Sequence, residues 1–281
     1  MRINKKVCFI TGTGHSGSTL LGLLLGNHSQ SFYCGEGEKS RFLTKEKAPL
    51  QKRSCKFCGI HCPVWGTVSL TSDCDLYEQL SQHISTTLGI TAPLMIDSTS
   101  GADWIHQQYR KLVKTEAKPH LIFLKRDGRG VVNSYRRKYP DTSIETIIEN
   151  WIEKIKKAQA LFEEFAGPKI IIHYEELASN TSSILKGLCD FLTIPHEPKM
   201  RDFSRQTYHL LGGNNGTQFL AARHQSQLLQ TMTPSNRQYY QEHQSDIILD
   251  LRWQQELSPE QHQIFARLAS EVNQSFEWHP S

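Results

Sequence analysis

The stretch from Val7 to Leu21 constrains the fold more than any other part of the chain. Its sequence, VCFITGTGHSGSTLL, has an apolar run, a turn rich in glycine and hydroxyl residues, and the start of a leucine-rich segment. This order predicts a buried strand, a tight turn and a helix. Backbone N–H groups and a helix N-terminus converge in such a unit and favour an anion, most often a phosphate. A turn that binds nothing is the alternative.

The spacing within this turn argues against a triphosphate enzyme. Gly12 and Gly17 are separated as in the P-loop of nucleoside triphosphatases, and Thr19 takes the Ser/Thr position. Ser18, however, stands where that motif needs the lysine that holds the β- and γ-phosphates. A shorter anionic group, bound by N–H groups, hydroxyls and the imidazole of His15, fits better. A small-molecule kinase on a P-loop scaffold remains the alternative enzyme.

The order of the predicted elements indicates the fold class. Apolar runs at 93–97, 120–124 and 169–174 predict three further strands, and helical patterns lie between them. Strands that alternate with helices favour a P-loop-type α/β fold, three layers with a central, mostly parallel sheet flanked by helices. The 281 residues suit one domain, 1–281.

Helix boundaries and caps can be predicted at several positions. Helical spacing predicts helices at 75–88, ended by Gly89, and at 143–165. Two terminal helices are expected at 246–257 and 258–276, the second begun by a Ser-Pro-Glu-Gln capping sequence.

The net charge and the hydropathy of the sequence limit the binding partners and the cellular location that we expect for the protein. The net charge of +4 is too small to indicate nucleic-acid binding. We find no apolar run long enough to span a bilayer and no signal peptide, so we expect no membrane partner and a cytoplasmic location.

Two carboxylates lie just beyond the first predicted helix. Glu36 and Glu38 flank Gly37, and this region is expected over the carboxyl edge of the sheet, where ligands sit. One of them is a candidate general base, although a solvated acidic turn is the alternative. Asp97, followed by Ser98–Ser100, is a third candidate; those hydroxyls alternatively cap the next helix.

A second anion site is predicted in the middle of the chain. Arg126 ends a predicted strand, and Ser134 follows eight residues later, about two helical turns into the next helix. A guanidinium and a hydroxyl placed in this way can both reach one phosphate. The basic run 136–138 that follows is predicted to be a solvated helix face.

Two segments are predicted to be insertions or loops. The basic segment 39–72 contains Cys55, Cys58, His61 and Cys62, four potential zinc ligands. Their second pair is too close to the first for ordinary zinc-finger spacing, and a reduced packed loop or a disulfide explains them equally well. We therefore predict no metal. The polar segment 195–245 is predicted to be a lid or substrate wall.

Taken together, the two phosphate motifs resemble those of sulfotransferases. Gly14–Leu21 resembles the family's 5′-phosphosulfate loop, and Arg126–Ser134 its 3′-phosphate motif. The resemblance implies the donor 3′-phosphoadenosine 5′-phosphosulfate (PAPS), whose product is adenosine 3′,5′-bisphosphate. It also implies that Tyr174 borders the nucleoside and that Glu36 is the catalytic base. The implied donor-binding residues are Gly14, His15, Ser16, Gly17, Ser18, Thr19, Arg126, Ser134 and Tyr174.

The chain departs from the family pattern at two cationic positions. His15 replaces the usual Arg or Lys of the loop, and no Lys follows Asp97-Ser-Thr-Ser. A nearby phosphate can favour the imidazolium form of His15, which gives this residue a catalytic role. Alternatively, another cation reaches the site, or the protein binds the nucleotide without transfer. The expected acceptor is a hydroxyl or amine of a small metabolite or natural product.

Overall fold

A central, fully parallel sheet organises the molecule. We describe residues 6–71, 74–90, 93–204, 206–222 and 247–278 in a computed structural model of the chain. Five strands pair in the order β2-β3-β1-β4-β5, so β1 is in the middle. The strands are β1 (Lys6–Thr11), β2 (Ser31–Gly35), β3 (Leu94–Asp97), β4 (Lys118–Lys125) and β5 (Lys169–His173). The predicted α/β fold with a parallel sheet is confirmed.

Helices connect the strands and flank the sheet. In the described residues they are α1 (Ser18–Gly26), α2 (Leu50–Arg53), α3 (Leu76–Leu88), α4 (Ala102–Leu112), α5 (Gly128–Lys138), α6 (Ile144–Glu164), α7 (Tyr174–Ser179), α8 (Thr181–Leu192), α9 (Asn215–Ala222), α10 (Trp253–Glu256) and α11 (Pro259–Asn273). Short 3₁₀ turns span Gly37–Phe42 and Pro198–Arg201. None of the helices described here is both long enough and apolar enough to cross a membrane.

Several local predictions agree with the structure. Asp75 accepts a hydrogen bond at the start of α3, and Gly89 ends that helix with a left-handed φ of 69°. Ser258 and Gln261 form the predicted capping box of α11. These signals are local, so neighbouring residues alone decide them.

The structure differs from the sequence predictions at several other places. Ser31–Gly35, for which the sequence predicted no strand, pairs with β3 as β2. Tyr174, predicted as the last residue of the strand over 169–174, begins α7 instead. The helix predicted over 246–257 is reduced to α10, and residues 247–250 are irregular. Ser98–Ser100 do not cap α4, whose N-cap is Gly101.

The core lies on both faces of the sheet. Successive side chains of β4 point to opposite faces of the sheet. Leu121, Ile122 and Leu124 join the larger apolar cluster, whereas Phe123 joins the smaller one. Trp151 of α6 is 1 % exposed and packs in the smaller cluster, as predicted for a core residue. A covered sheet of this kind leaves its carboxyl edge, with the loops that follow β1, β2 and β4, for a site.

Candidate active site

The turn between β1 and α1 leaves a helix N-terminus available. Gly17, with a φ of 96°, is the N-cap of α1 and supplies no side-chain cap; the first turn contains no acidic residue. His15 also has a left-handed φ, of 65°. The turn is therefore shaped so that the first N–H groups of α1 can receive an anion.

Gly17 brings Tyr174 against this turn. A Cβ atom on Gly17 would lie 2.7 Å from Cδ2 of Tyr174, closer than real Cβ contacts. Any larger residue at position 17 would displace the tyrosine ring. The aromatic side chain at the start of α7 is thus a wall of the same cleft as the turn.

Arg126 links the turn, α7 and the C-terminal region. Its Nη1 donates to the carbonyl of His15 at 2.7 Å, and its guanidinium lies 4.3 Å from the centre of the Tyr174 ring. Its Nη2 donates to Oδ2 of Asp250 at 3.1 Å. Only 7 % of the arginine is exposed. The two predicted anion sites therefore adjoin each other.

Ser134 and Arg126 both adjoin Gly130 in the first turn of α5. Its hydroxyl donates to the carbonyl of Gly130 at 2.9 Å. A Cβ atom on Gly130 would lie 3.1 Å from Nε of Arg126. The arginine and the serine thus border the same glycine.

Two buried polar atoms of this cleft lack hydrogen-bond partners among the described residues. They are Oγ of Ser16 and Nε of Arg126. Buried donors are usually satisfied, and an unsatisfied one costs about 1–3 kcal/mol. An anionic ligand with acceptor oxygens is the chemistry that would satisfy both.

His15 is neutral in the free protein. Burial, together with the charges of Lys138, Arg126 and Lys154, lowers its pKa to about 4. The imidazolium proposed from the sequence is therefore not the form present near pH 7 without a bound anion. The ring packs edge-on against Tyr135, with 4.7 Å between ring centres.

Lys154 is a cation beside the turn that the sequence did not indicate. Its Nζ donates to the hydroxyl of Tyr135 at 3.4 Å, and that tyrosine contacts His15. Lys138, predicted to be part of a solvated face, is also close enough to lower the pKa of His15. Both lysines come from helices remote in sequence from the turn, so no local motif marks them.

Two consecutive amides connect Glu36 with the first turn of α1, since one binds the Glu36 carboxylate and the next binds Thr19. The N–H of Gly213 donates to its Oε1 at 2.8 Å, and the next N–H, of Asn214, donates to Oγ1 of Thr19 at 2.9 Å. Nζ of Lys39 lies 2.6 Å from the other carboxylate oxygen. The side chain is 32 % exposed, so an acceptor can reach it.

The two rival carboxylates have other surroundings. Glu38 pairs with Arg41 at 2.7 Å, and its backbone N–H donates to Thr99. Asp97 is fully buried, and its oxygens accept five hydrogen bonds, from Gly37 N, Thr99 N and Oγ1, Tyr77 OH and Trp104 Nε1. Asp97 therefore organises the ends of β2 and β3 and is a poor candidate for a base.

The predicted lid is described only in part. Gly212 and Gly213, both with left-handed φ, belong to it and contact Glu36 and Thr19. Residues 223–245, which include Arg223 and His224, lie outside the described residues.

A family profile shows which family the chain belongs to. The profile of the sulfotransferase family matches residues 8–198, more than half of the chain and all of the residues predicted for the site. The chain belongs to the sulfotransferase family. It is therefore an enzyme of sulfuryl transfer, and the predicted resemblance is confirmed. A search of curated proteins gave no match.

Solved structures support the fold of this sulfotransferase. The sulfotransferase domain from the curacin biosynthetic pathway is 17 % identical, with a TM-score of 0.58 over 99 % of this chain and 100 % of that one. The sulfotransferase domain of the Synechococcus PCC 7002 olefin synthase is 16 % identical, with a TM-score of 0.58 over 100 % of this chain and 98 % of that one. At such identities the likeness concerns the fold alone.

Proposed function

We propose that this sulfotransferase transfers the sulfuryl group of PAPS to a hydroxyl or amine of a small-molecule acceptor, with Glu36 as general base. The observation that carries the proposal is the position of Arg126. Its guanidinium bonds the turn through His15 and stacks on Tyr174, so the two predicted phosphate sites border one cleft. We further propose that residues 1–281 form one domain.

The residues present suit a nucleotide with one phosphate group at each end. The first N–H groups of α1 and the turn, with the hydroxyls of Ser16, Ser18 and Thr19, would hold the 5′-phosphosulfate. Arg126 and Ser134 would hold the 3′-phosphate, and Tyr174 would border the nucleoside. The hydroxyl of Ser16 and Nε–H of Arg126, which have no hydrogen-bond partner within the described part of the chain, supply donors for this purpose. A second phosphate site of this kind explains why no triphosphate-binding lysine is needed.

The donor supplies an activated sulfuryl group. The chain's residues would accept the proton of the attacking group and stabilise the charge on the leaving oxygen. Glu36 would accept the proton of the attacking hydroxyl or amine, since its side chain is partly exposed and the Gly213–Asn214 backbone joins it to Thr19. The N–H groups of the turn would stabilise the negative charge that develops on the leaving oxygen. Lys154 and Lys138 would supply the positive charge that the family places in the turn.

Replacing Lys154 with alanine should lower the rate of transfer by about 10–150-fold, since a charge-assisted contact is worth about 1.5–3 kcal/mol. The matched control is Lys157→Ala, on the same helix, because Lys157 pairs with Glu153 and neither is buried. Single-turnover rates at saturating donor measure the effect. Equal rates for the two variants would exclude Lys154 as the replacing cation.

Asp250 should compete with the 3′-phosphate for Arg126. Although it is partly buried, hydrogen bonds from Arg252 and the charge of Arg126 hold the pKa of Asp250 well below its usual range. Asp250→Asn should therefore bind adenosine 3′,5′-bisphosphate about five-fold more tightly, because removal of one screened like charge is worth about 1 kcal/mol. Calorimetric titration measures this affinity. Weaker binding by Asp250→Asn would mean that Asp250 holds Arg126 in the position that binds the 3′-phosphate.

A donor-dependent acceptor screen tests the proposed function. The protein, PAPS and a panel of hydroxyl and amine compounds are incubated, and a gain of one sulfuryl group is read by mass. Curacin and olefin synthase sulfotransferase domains share this fold, so natural-product hydroxyls belong in the panel. Transfer of phosphate from ATP would favour the kinase alternative. Bisphosphate binding without any turnover would favour a nucleotide-binding protein.

A further inference from the structure

Three cysteines and one histidine converge outside the proposed active site. Cys55, Cys58, Cys62 and His209 have ligand atoms that all lie within 4.8 Å of one another. We call this set the cysteine–histidine cluster. Nδ1 of His209 lies 3.3 Å from Sγ of Cys58 and 3.4 Å from Sγ of Cys62. All three cysteines are free, so the disulfide considered from the sequence is absent from the cluster.

These distances match the edges of a zinc tetrahedron. With Zn–S of about 2.3 Å and Zn–N of about 2.0–2.1 Å, a tetrahedral angle separates sulfur from nitrogen by about 3.6 Å. The donor set also fits, because three thiolates and one imidazole are a common ligand set of structural zinc. Soft thiolate ligands disfavour magnesium, calcium and manganese.

The surroundings indicate a closed, structural site. Cys55, Cys62 and His209 are buried, and only Cys58 is partly exposed. Four protein ligands leave no open position for a substrate or water, unlike catalytic zinc sites. His61, the histidine considered from the sequence, is exposed and does not belong to the cluster. The histidine of the cluster is 147 residues beyond Cys62, so the spacing of the cysteine segment alone did not indicate it.

We propose that the cysteine–histidine cluster binds one structural zinc ion. The ion would join the segment 39–72 to the segment that carries His209. Two hydrogen bonds already connect these segments, from Lys56 N to the carbonyl of Leu210 at 3.0 Å and from Trp65 Nε1 to the carbonyl of His209 at 3.0 Å.

The same segment leads to the candidate base. Leu211 pairs with the end of β2, where its carbonyl accepts the N–H of Glu36 at 2.6 Å. Two residues later, Gly213 donates to the Glu36 carboxylate. The zinc ligands would therefore act as positioning residues for Glu36. This consequence rests on the proposed function, whereas the metal site itself does not.

Metal analysis of the purified chain tests the site directly. Elemental mass spectrometry should find about one zinc per chain, retained in His61→Ala and Cys74→Ser, whose altered residues are exposed. Cys58→Ser, at the least buried ligand, should lose most of it. Cobalt added to metal-depleted protein should give the visible absorption of a tetrahedral thiolate site. The proposal would be overturned if metal-free wild-type protein took up neither zinc nor cobalt. It would also be overturned if the purified protein contained iron in place of zinc.

A chelator experiment on the wild-type chain covers the case in which Cys58→Ser does not fold. Removal of zinc should lower the melting temperature and the kcat, and restored zinc should recover both. The affinity for adenosine 3′,5′-bisphosphate should stay within about two-fold, because the donor site does not use the cluster. Loss of zinc without any change in melting temperature would contradict a structural role. Inactive protein that still contains zinc would count against the proposed function alone.

Discussion

Glu36→Gln should slow sulfuryl transfer by about 10²–10⁴-fold, the range that a positioned general base contributes. Glutamine keeps the shape of the side chain and can still accept from the N–H of Gly213, yet it cannot take the acceptor's proton. The expected result is a reduced kcat with an unchanged affinity for adenosine 3′,5′-bisphosphate. Single-turnover transfer at saturating donor measures the first, and calorimetry the second.

The matched control is Glu38→Gln. Both glutamates are 32 % exposed and each pairs with a cation three residues later, so the substitutions perturb the segment in similar ways. Only Glu36 is tied to Thr19 through the Gly213–Asn214 backbone. A large loss in Glu38→Gln with full activity in Glu36→Gln would reassign the base to Glu38.

Arg126→Ala should weaken the binding of adenosine 3′,5′-bisphosphate by about 10–150-fold, because a hydrogen bond between charged groups is worth about 1.5–3 kcal/mol. The arginine also bonds His15, and its loss can lower stability as well. Arg137→Ala is the control, since Arg137 on α5 pairs with Glu256 at 3.0 Å.

A comparison of two nucleotides separates binding from folding in this variant. Adenosine 5′-monophosphate lacks the 3′-phosphate, so wild-type protein should bind it much more weakly than the bisphosphate. In Arg126→Ala the two affinities should nearly converge, as in a double-mutant cycle. An undiminished preference for the bisphosphate would remove Arg126 from the 3′-phosphate site.

Local sequence signals predicted the parts of the site that depend on neighbouring residues. The strand, turn and helix of 7–26 follow from apolar pattern and glycine, and Arg126 follows from its place at a strand end. The α3 and α11 caps were predictable for the same reason. In each case the physical cause lies within about one turn of the chain.

The rest of the site depends on contacts between distant segments. Lys154 reaches the turn from α6, His209 completes a cluster begun at Cys55, and Asp250 pairs with Arg126. Strand β2 exists because β3 lies beside it, while its own residues include weak strand formers. No spacing rule within a single sequence reveals such pairs. Only the folded backbone brings them together.

The pairing of Arg126 with Asp250 has a consequence for discrimination among anions. In the free enzyme the guanidinium of Arg126 is already paired with the carboxylate of Asp250. Chloride or inorganic sulfate would have to displace this carboxylate and would gain only one ionic contact in return. A nucleotide would also contact the turn and the Tyr174 ring. These additional contacts would offset the free energy needed to displace Asp250. The cleft should therefore bind simple inorganic anions weakly and bind a ligand with two separated charged groups tightly.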